Sequence, residues 1–189
     1  MLGESLARYG TPPLWARDPS YATLVHLILE QQVSLASAQA AFDRLGAAIG
    51  VVTPDALLTL DDTALRRIGF SRQKTGYARE LASAVLDGFS LESLAALPDN
   101  EVRAALTVHR GIGRWTADIY LTMCLLRDDV WPNGDLALAA AAREIGLTTQ
   151  RPSNEELAKI AERWHPYRAI AARILWQHYL RERNQPLDQ

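Results

Sequence analysis

The stretch 109-HRGIGRWTADIYL-121 sets two glycines, two arginines and a tryptophan ahead of a run with almost no polar face. Gly111 and Gly113 permit positive φ and leave their amides unobstructed, so they read as a tight turn between two helices. Such a turn points backbone N–H groups outward at the start of the second helix, where the positive end of its dipole also lies. Arg110 and Arg114 add side-chain charge at the same place. The combination suits a phosphate diester, although the glycines alone read as an ordinary turn between helices. The following TADIYLTMCLL is apolar on most sides and is expected at the centre of the core.

Downstream lies 128-DDVWPNGDLALAAAAREIG-146, in which Pro132, Asn133 and Gly134 form a loop and Asp135 opens an apolar helix. Asp135 reads first as the N-cap of that helix. A carboxylate in that place can also serve a substrate.

The rest of the chain is helical in pattern nearly throughout. YATLVHLILEQQVSLASAQAAFDRLGAAI, residues 21–49, is expected as helix with a break at Gly46. Thr53-Pro54 reads as an N-cap followed by proline at the first helical position, and Ser153 with Glu156 reads as a capping box. Further helices are expected to stop at Gly69, near Gly88 and at Pro98, and YRAIAARILWQHYLRER closes the fold. No strand, linker or low-complexity segment stands out, so about nine or ten helices in one compact all-α body are expected. One echo recurs: ALRRIGFSRQKTGYAREL and ALTVHRGIGRWTADIYL both read helix, glycine turn, basic residue, helix.

Bulk properties narrow the function. At 189 residues, 48% apolar and 22% charged, the chain can bury a sizeable core. Its apolar runs are too short to cross a bilayer, and its start, MLGESLARYG, lacks the features of a signal peptide, so a cytoplasmic setting is expected. The single cysteine, Cys124, excludes an internal disulfide and any four-cysteine zinc or iron–sulfur site. The net charge of −2 offers no global argument for nucleic acid. Local charge differs: residues 63–79 hold Arg66, Arg67, Arg72, Lys74 and Arg79 without an acid, and residues 163–181 hold Arg163, Arg168, Arg173 and Arg181 without one. Each run reads as a solvated helix face or as part of a phosphate-facing surface.

Taken together, Gly111 to Leu138 resembles the signature of the helix-hairpin-helix (HhH-GPD) DNA glycosylases: hairpin, buried helix, Gly/Pro loop, aspartate. Tryptophan after GIGR is similar to the 3-methyladenine DNA glycosylase II branch. LILEQQVSLASAQAA at 27–41, GFSRQKTGYARELA at 69–82 and WHPYRAIAARILW at 164–176 extend the likeness over most of the chain. The resemblance implies an all-α, two-lobed helical glycosylase fold with a cleft between lobes. It implies a single unit over 1–189, with the helix-hairpin-helix at about 102–127. Only about twenty residues precede the helical core, so the extra N-terminal β-containing domain of larger relatives is expected to be missing.

The resemblance assigns roles as well. Asp135 corresponds to the catalytic aspartate, and Trp115 and Trp176 to aromatic walls of a base pocket. A pocket tyrosine of larger relatives falls at Ile119, which brings in its neighbour Tyr120. Gln32 falls where the family places a side chain that wedges into the gap left by a flipped nucleotide, with Gln31 a weaker candidate. Arg110, Gly111, Gly113, Arg114, Arg72 and Lys74 are the expected DNA contacts. The backbone carbonyls of Thr107, His109 and Ile112 could hold Na⁺ or K⁺; no other cofactor is implied. Relatives that cut the DNA backbone carry a lysine where this chain has Trp115, so a monofunctional enzyme acting on alkylated bases of the 3-methyladenine and 7-methylguanine type is expected. It would act on double-stranded DNA as a monomer away from membranes and leave an abasic site. A DNA-binding protein without catalysis, or a glycosylase for another class of lesion, are the alternatives.

Overall fold

Caps written in the sequence set most of the helix starts. In the computed structural model, which describes residues 1–187, all regular structure is helical. The last two positions of the expected 1–189 unit lie outside the described residues. Eleven α-helices occur among the described residues: α1 (Leu2–Tyr9), α2 (Tyr21–Glu30), α3 (Leu35–Ile49), α4 (Pro54–Leu58), α5 (Asp62–Ile68), α6 (Arg72–Leu86), α7 (Asp99–Thr107), α8 (Arg114–Ile119), α9 (Leu136–Glu144), α10 (Asn154–Ala161) and α11 (Arg168–Arg181). Ser20, Ser34, Thr53, Asp61, Ser71, Asp135 and Ser153 each accept a backbone N–H at a helix start. The Ser153–Glu156 box is reciprocal, and Pro54 opens α4, both as their spacing predicts.

Two boundaries differ from expectation. The run 21–49 breaks at Gln31–Ser34, and Gly46 lies inside α3, which ends at Gly50. Ser34 explains the restart, because its hydroxyl accepts from the Ser37 amide. Residues 92–96 form a 3₁₀ turn in place of an α-helix before Pro98.

The chain divides into two compact units, one of residues 17–117 and one of residues 1–16 with 118–189. In the first, α2 packs on α3 and α6, α4 on α6, and α5 on α3 and α6. Leu24, Leu27, Ile28, Leu45, Leu57, Leu65, Leu81 and Leu106 are fully covered there, each contributing about 1.5–3 kcal/mol of transfer free energy. In the second, α11 packs on α9 and α1, and α10 packs on α9. Nine consecutive or near-consecutive residues of α11, Ala169 and Ala171 to His178, are buried, so this helix is covered almost all round. The apolar stretch after the hairpin is buried as expected, from Thr116 through Thr122. It leaves α-geometry for a π turn at Tyr120–Cys124, where the Leu125 amide donates to the Tyr120 carbonyl at 3.1 Å. No described helix is long and apolar enough to cross a membrane.

Candidate functional site

In the unit of residues 17–117, α7 runs into a hairpin that closes on itself. The His109 amide donates to the Leu106 carbonyl, and the Ile112 amide to the His109 carbonyl at 3.1 Å. Ile112 is buried and anchors the turn, while Gly113 and Arg114 are exposed. The two glycines serve different ends. Gly111 has φ +87°, and a Cβ there would lie 2.2 Å from Cδ2 of Tyr77. Gly113 has ordinary φ, and a Cβ there would meet no protein atom within 4 Å. The conformational freedom expected of both is thus used only at Gly111; the bareness of Gly113 faces outward.

Charge collects beside this turn. A depression of about 350 Å³ is lined by Arg72, Gln73, Gly76, Tyr77 and Arg110. Arg110 is 77% exposed and only loosely paired, its Nη1 3.8 Å from Glu80. The Arg110 amide donates to the same carboxylate at 3.2 Å. The His109 ring lies tilted against Phe89, centroids 4.4 Å apart, and burial holds its imidazole below the ordinary histidine range, with Glu80 opposing.

The two adjacent glutamines are unlike. Gln32 is exposed, with a left-handed backbone at φ +59°. Gln31 is half-buried; its Nε2 donates to the Gly111 carbonyl at 2.8 Å and approaches Thr116 Oγ1 at 3.3 Å. Lys74 Nζ donates to the carbonyls of Leu29 and Gln31, each at 2.8 Å. Burial lowers the Lys74 pKa. Trp115 is half-buried at the first turn of α8.

In the other unit, Asp135 is 9% exposed and its Oδ1 accepts from the amides of both Ala137 and Leu138 at 2.9 Å. The N-cap reading of Asp135 is therefore met. Two hydrogen bonds fix the carboxylate, and the positive end of α9 favours its charge. Gly134, at φ +87°, makes the turn that delivers it. Just before this loop, Trp131 is buried against Trp164 at 5.6 Å. Leu136, 69% exposed, follows the carboxylate. Trp176 is 8% exposed and meets Trp15 edge-on at 6.3 Å. Tyr120 has no exposed surface, and its hydroxyl has no hydrogen-bond partner among the described residues.

Three features carry no local signal in the sequence. Tyr77 fills the space under Gly111, Gln31 and Lys74 bond to carbonyls distant in sequence, and Arg173 is buried among carbonyls. The partners are backbone atoms, which every residue owns.

The sequence pattern of HhH-GPD superfamily base excision DNA repair proteins matches residues 25–166. The Schizosaccharomyces pombe DNA-3-methyladenine glycosylase 1 is 30% identical over 162 residues, covering 83% of this chain and 71% of that protein. The solved S. pombe 3-methyladenine DNA glycosylase in complex with abasic DNA superposes with a TM-score of 0.84 at 29% identity, covering 93% and 88% of the two chains. A DNA-3-methyladenine glycosidase structure from Bacillus halodurans gives 0.78 at 28% identity, covering 98% and 87%.

Proposed function

The chain belongs to the HhH-GPD superfamily of base excision DNA repair proteins, and on that premise we propose that it is a monofunctional DNA glycosylase that hydrolyses the N-glycosidic bond of alkylated bases. The carrying observation is Asp135, a carboxylate immobilised by two amides at the start of α9.

A base must leave the stack before any side chain can reach C1′, at a cost of a few kcal/mol that damaged pairs reduce. Gln32, exposed on its left-handed backbone, is the side chain that fills the vacated space. Gly111, Gly113, Arg110, Arg114 and Arg72 hold the phosphates, the bare outward face of Gly113 allowing the strand to come close to the amides. The carbonyls of Thr107, His109 and Ile112 stand where the negative end of α7 enters the hairpin, and they would hold Na⁺ or K⁺; that ion would supply positive charge toward the same phosphate.

An N3- or N7-alkylated purine already carries positive charge, so it leaves with the bonding electron pair without needing a proton. One carboxylate therefore suffices where ordinary glycosidases use two. Asp135 stabilises the oxocarbenium-like sugar, and the water oxygen that bonds to C1′ passes its proton to the Asp135 carboxylate or to solvent. Trp115, half-buried at the first turn of α8, offers an electron-rich face to a cationic base, worth about 0.5–2 kcal/mol. Strand cleavage would require an amine nucleophile. The sequence has two lysines, of which Lys74 is bonded to two carbonyls and Lys159 is exposed on α10, while Trp115 occupies the place of the relatives' lysine.

Asp135→Asn is the test, because asparagine caps a helix about as well as aspartate and leaves the fold intact. Base release from methylated duplex DNA should fall by about 10³-fold or more, with an unchanged melting temperature. Release at the wild-type rate removes Asp135 from catalysis. Binding of abasic DNA by a wild type that frees no base, across alkylated, oxidised and deaminated lesions, would make the protein a DNA binder only.

A further inference from the structure

We propose that Gln31 and Lys74 are positioning residues that lock the turn carrying Gln32 and the hairpin at Gly111 into one DNA-reading unit; this rests on the glycosylase reading above. The argument begins at the end of α2. The last carbonyls of a helix lack donors, and glycine or solvent commonly resolves this. Here the chain turns at Gln31 with extended backbone and at Gln32 with left-handed backbone, and neither residue is glycine. A cation supplies what the backbone lacks. Lys74 Nζ lies 2.8 Å from the carbonyls of both Leu29 and Gln31, on either side of Glu30, where the negative end of α2 attracts it.

Gln31 then extends the lock sideways. Its amide reaches the Gly111 carbonyl at 2.8 Å and Thr116 Oγ1 at 3.3 Å, so one side chain joins the wedge turn, the hairpin and the first turn of α8. The platform is α6. Lys74 meets the wedge turn, and Tyr77, three residues further on, fills the space beneath Gly111. Two recognition elements eighty residues apart in sequence therefore rest on one helix and share one crosslink. A hairpin seated on a phosphate consequently carries Gln32 to a fixed depth in the stack. Neither Gln31 nor Lys74 has to touch DNA to do this.

Gln31→Glu keeps the side chain's size and removes both donors, and Lys74→Met removes the cation while keeping the stem. The readout is a duplex with a stable abasic analogue flanked by 2-aminopurine, whose fluorescence rises when the stack opens. Wild type should raise it, and both variants should fall to the level of Gln32→Ala. Duplex affinity should change less than about threefold: Lys74, though expected among the DNA contacts, is engaged with the Leu29 and Gln31 carbonyls, and the arginine and hairpin contacts to phosphate remain. Base release from a paired lesion should slow by about 10- to 100-fold, the effect expected of a misplaced group, while release from a lesion in an unpaired loop stays within about threefold. Lys74→Arg should recover most of the paired-lesion rate. Wild-type fluorescence and rates in Gln31→Glu and Lys74→Met would overturn the proposal. Equal slowing on paired and unpaired lesions would also overturn it, since that reports general loss of structure. A wild type that opens the stack but frees no base fails as a glycosylase, and the fluorescence arm still decides the lock.

Discussion

Residues 63–79 and 163–181 look alike in the sequence, each a basic run without an acid, yet the fold turns three arginines of the first outward and folds two of the second into itself. Arg66, Arg67 and Arg72 are exposed, and none has a carboxylate within ion-pair distance among the described residues. In the second run, Arg168 donates to both oxygens of Asp129 at 2.9 and 2.8 Å and to Glu162 at 2.7 Å. Arg173, 5% exposed, donates to the carbonyls of Leu14, Ala169 and Thr122. The cause is how much of each helix is covered. On α6 only Thr75, Ala78, Leu81 and Ala82 are buried, so Arg72 and Gly76 face solvent. On α11 the burial runs through successive residues from Ala171 to His178, and the Arg173 guanidinium among them has no outward direction to take. Arg66, Arg67 and Arg72 are therefore available to phosphate, whereas Arg168 and Arg173, like Lys74 and Arg79 of the first run, hold the protein together.

The difference can be broken most sharply at Arg173. Arg173→Met leaves the Leu14 and Thr122 carbonyls without their donor, and thermal or denaturant unfolding should show a loss of about 3 kcal/mol. Its DNA affinity, measured on the folded fraction, should keep the wild-type salt dependence. Arg72→Ala should do the reverse. Stability should stay within about 0.5 kcal/mol, while the slope of log affinity against log salt should shrink by about one. If Arg72→Ala destabilised and Arg173→Met flattened the salt slope, the assignment of the two runs would be inverted.

The smallest expected effect concerns pH, and it falls on both units. Burial lowers the pKa of His26 and His109 in one and His178 in the other, so each favours the neutral form when folded. The unfolded chain then binds more protons in mild acid. Each histidine's contribution is complete above about pH 6.5 and is lost as pH falls below that toward the folded-state value. Chemical denaturation at pH 7.5 and 5.5 should show the lower stability at pH 5.5. His26→Phe, which keeps the 4.5 Å stack on Phe42, should reduce the difference.

Local chemistry was legible in the sequence and distant chemistry was not. Thr53, Asp135 and Ser153 announce helix starts because a cap bonds to amides two or three residues away. Gly111 announces a turn because its φ excludes most side chains. The break at Gln31–Ser34 is hidden because no glycine or proline marks it and its stabiliser is Lys74, more than forty residues on. Gly46 misleads for the opposite reason: it sits within α3 and a Cβ there would meet nothing, so helix continuity costs only glycine's weak propensity. The family pattern pointed to Asp135 and the hairpin, but not to the crosslink through Gln31 or to the carbonyl cage around Arg173. Nothing in their residue types distinguishes them from surface polar groups.

The π turn at Tyr120–Cys124 is, in terms of counting, a helix with one residue too many. A π turn absorbs that extra residue in one wider turn, so deleting one of the five would restore regular α spacing. Arg173 holds the surplus in place through its 2.6 Å bond to the Thr122 carbonyl. The surplus residue is thus answered not by its own helix but by a guanidinium 51 residues further on, from α11.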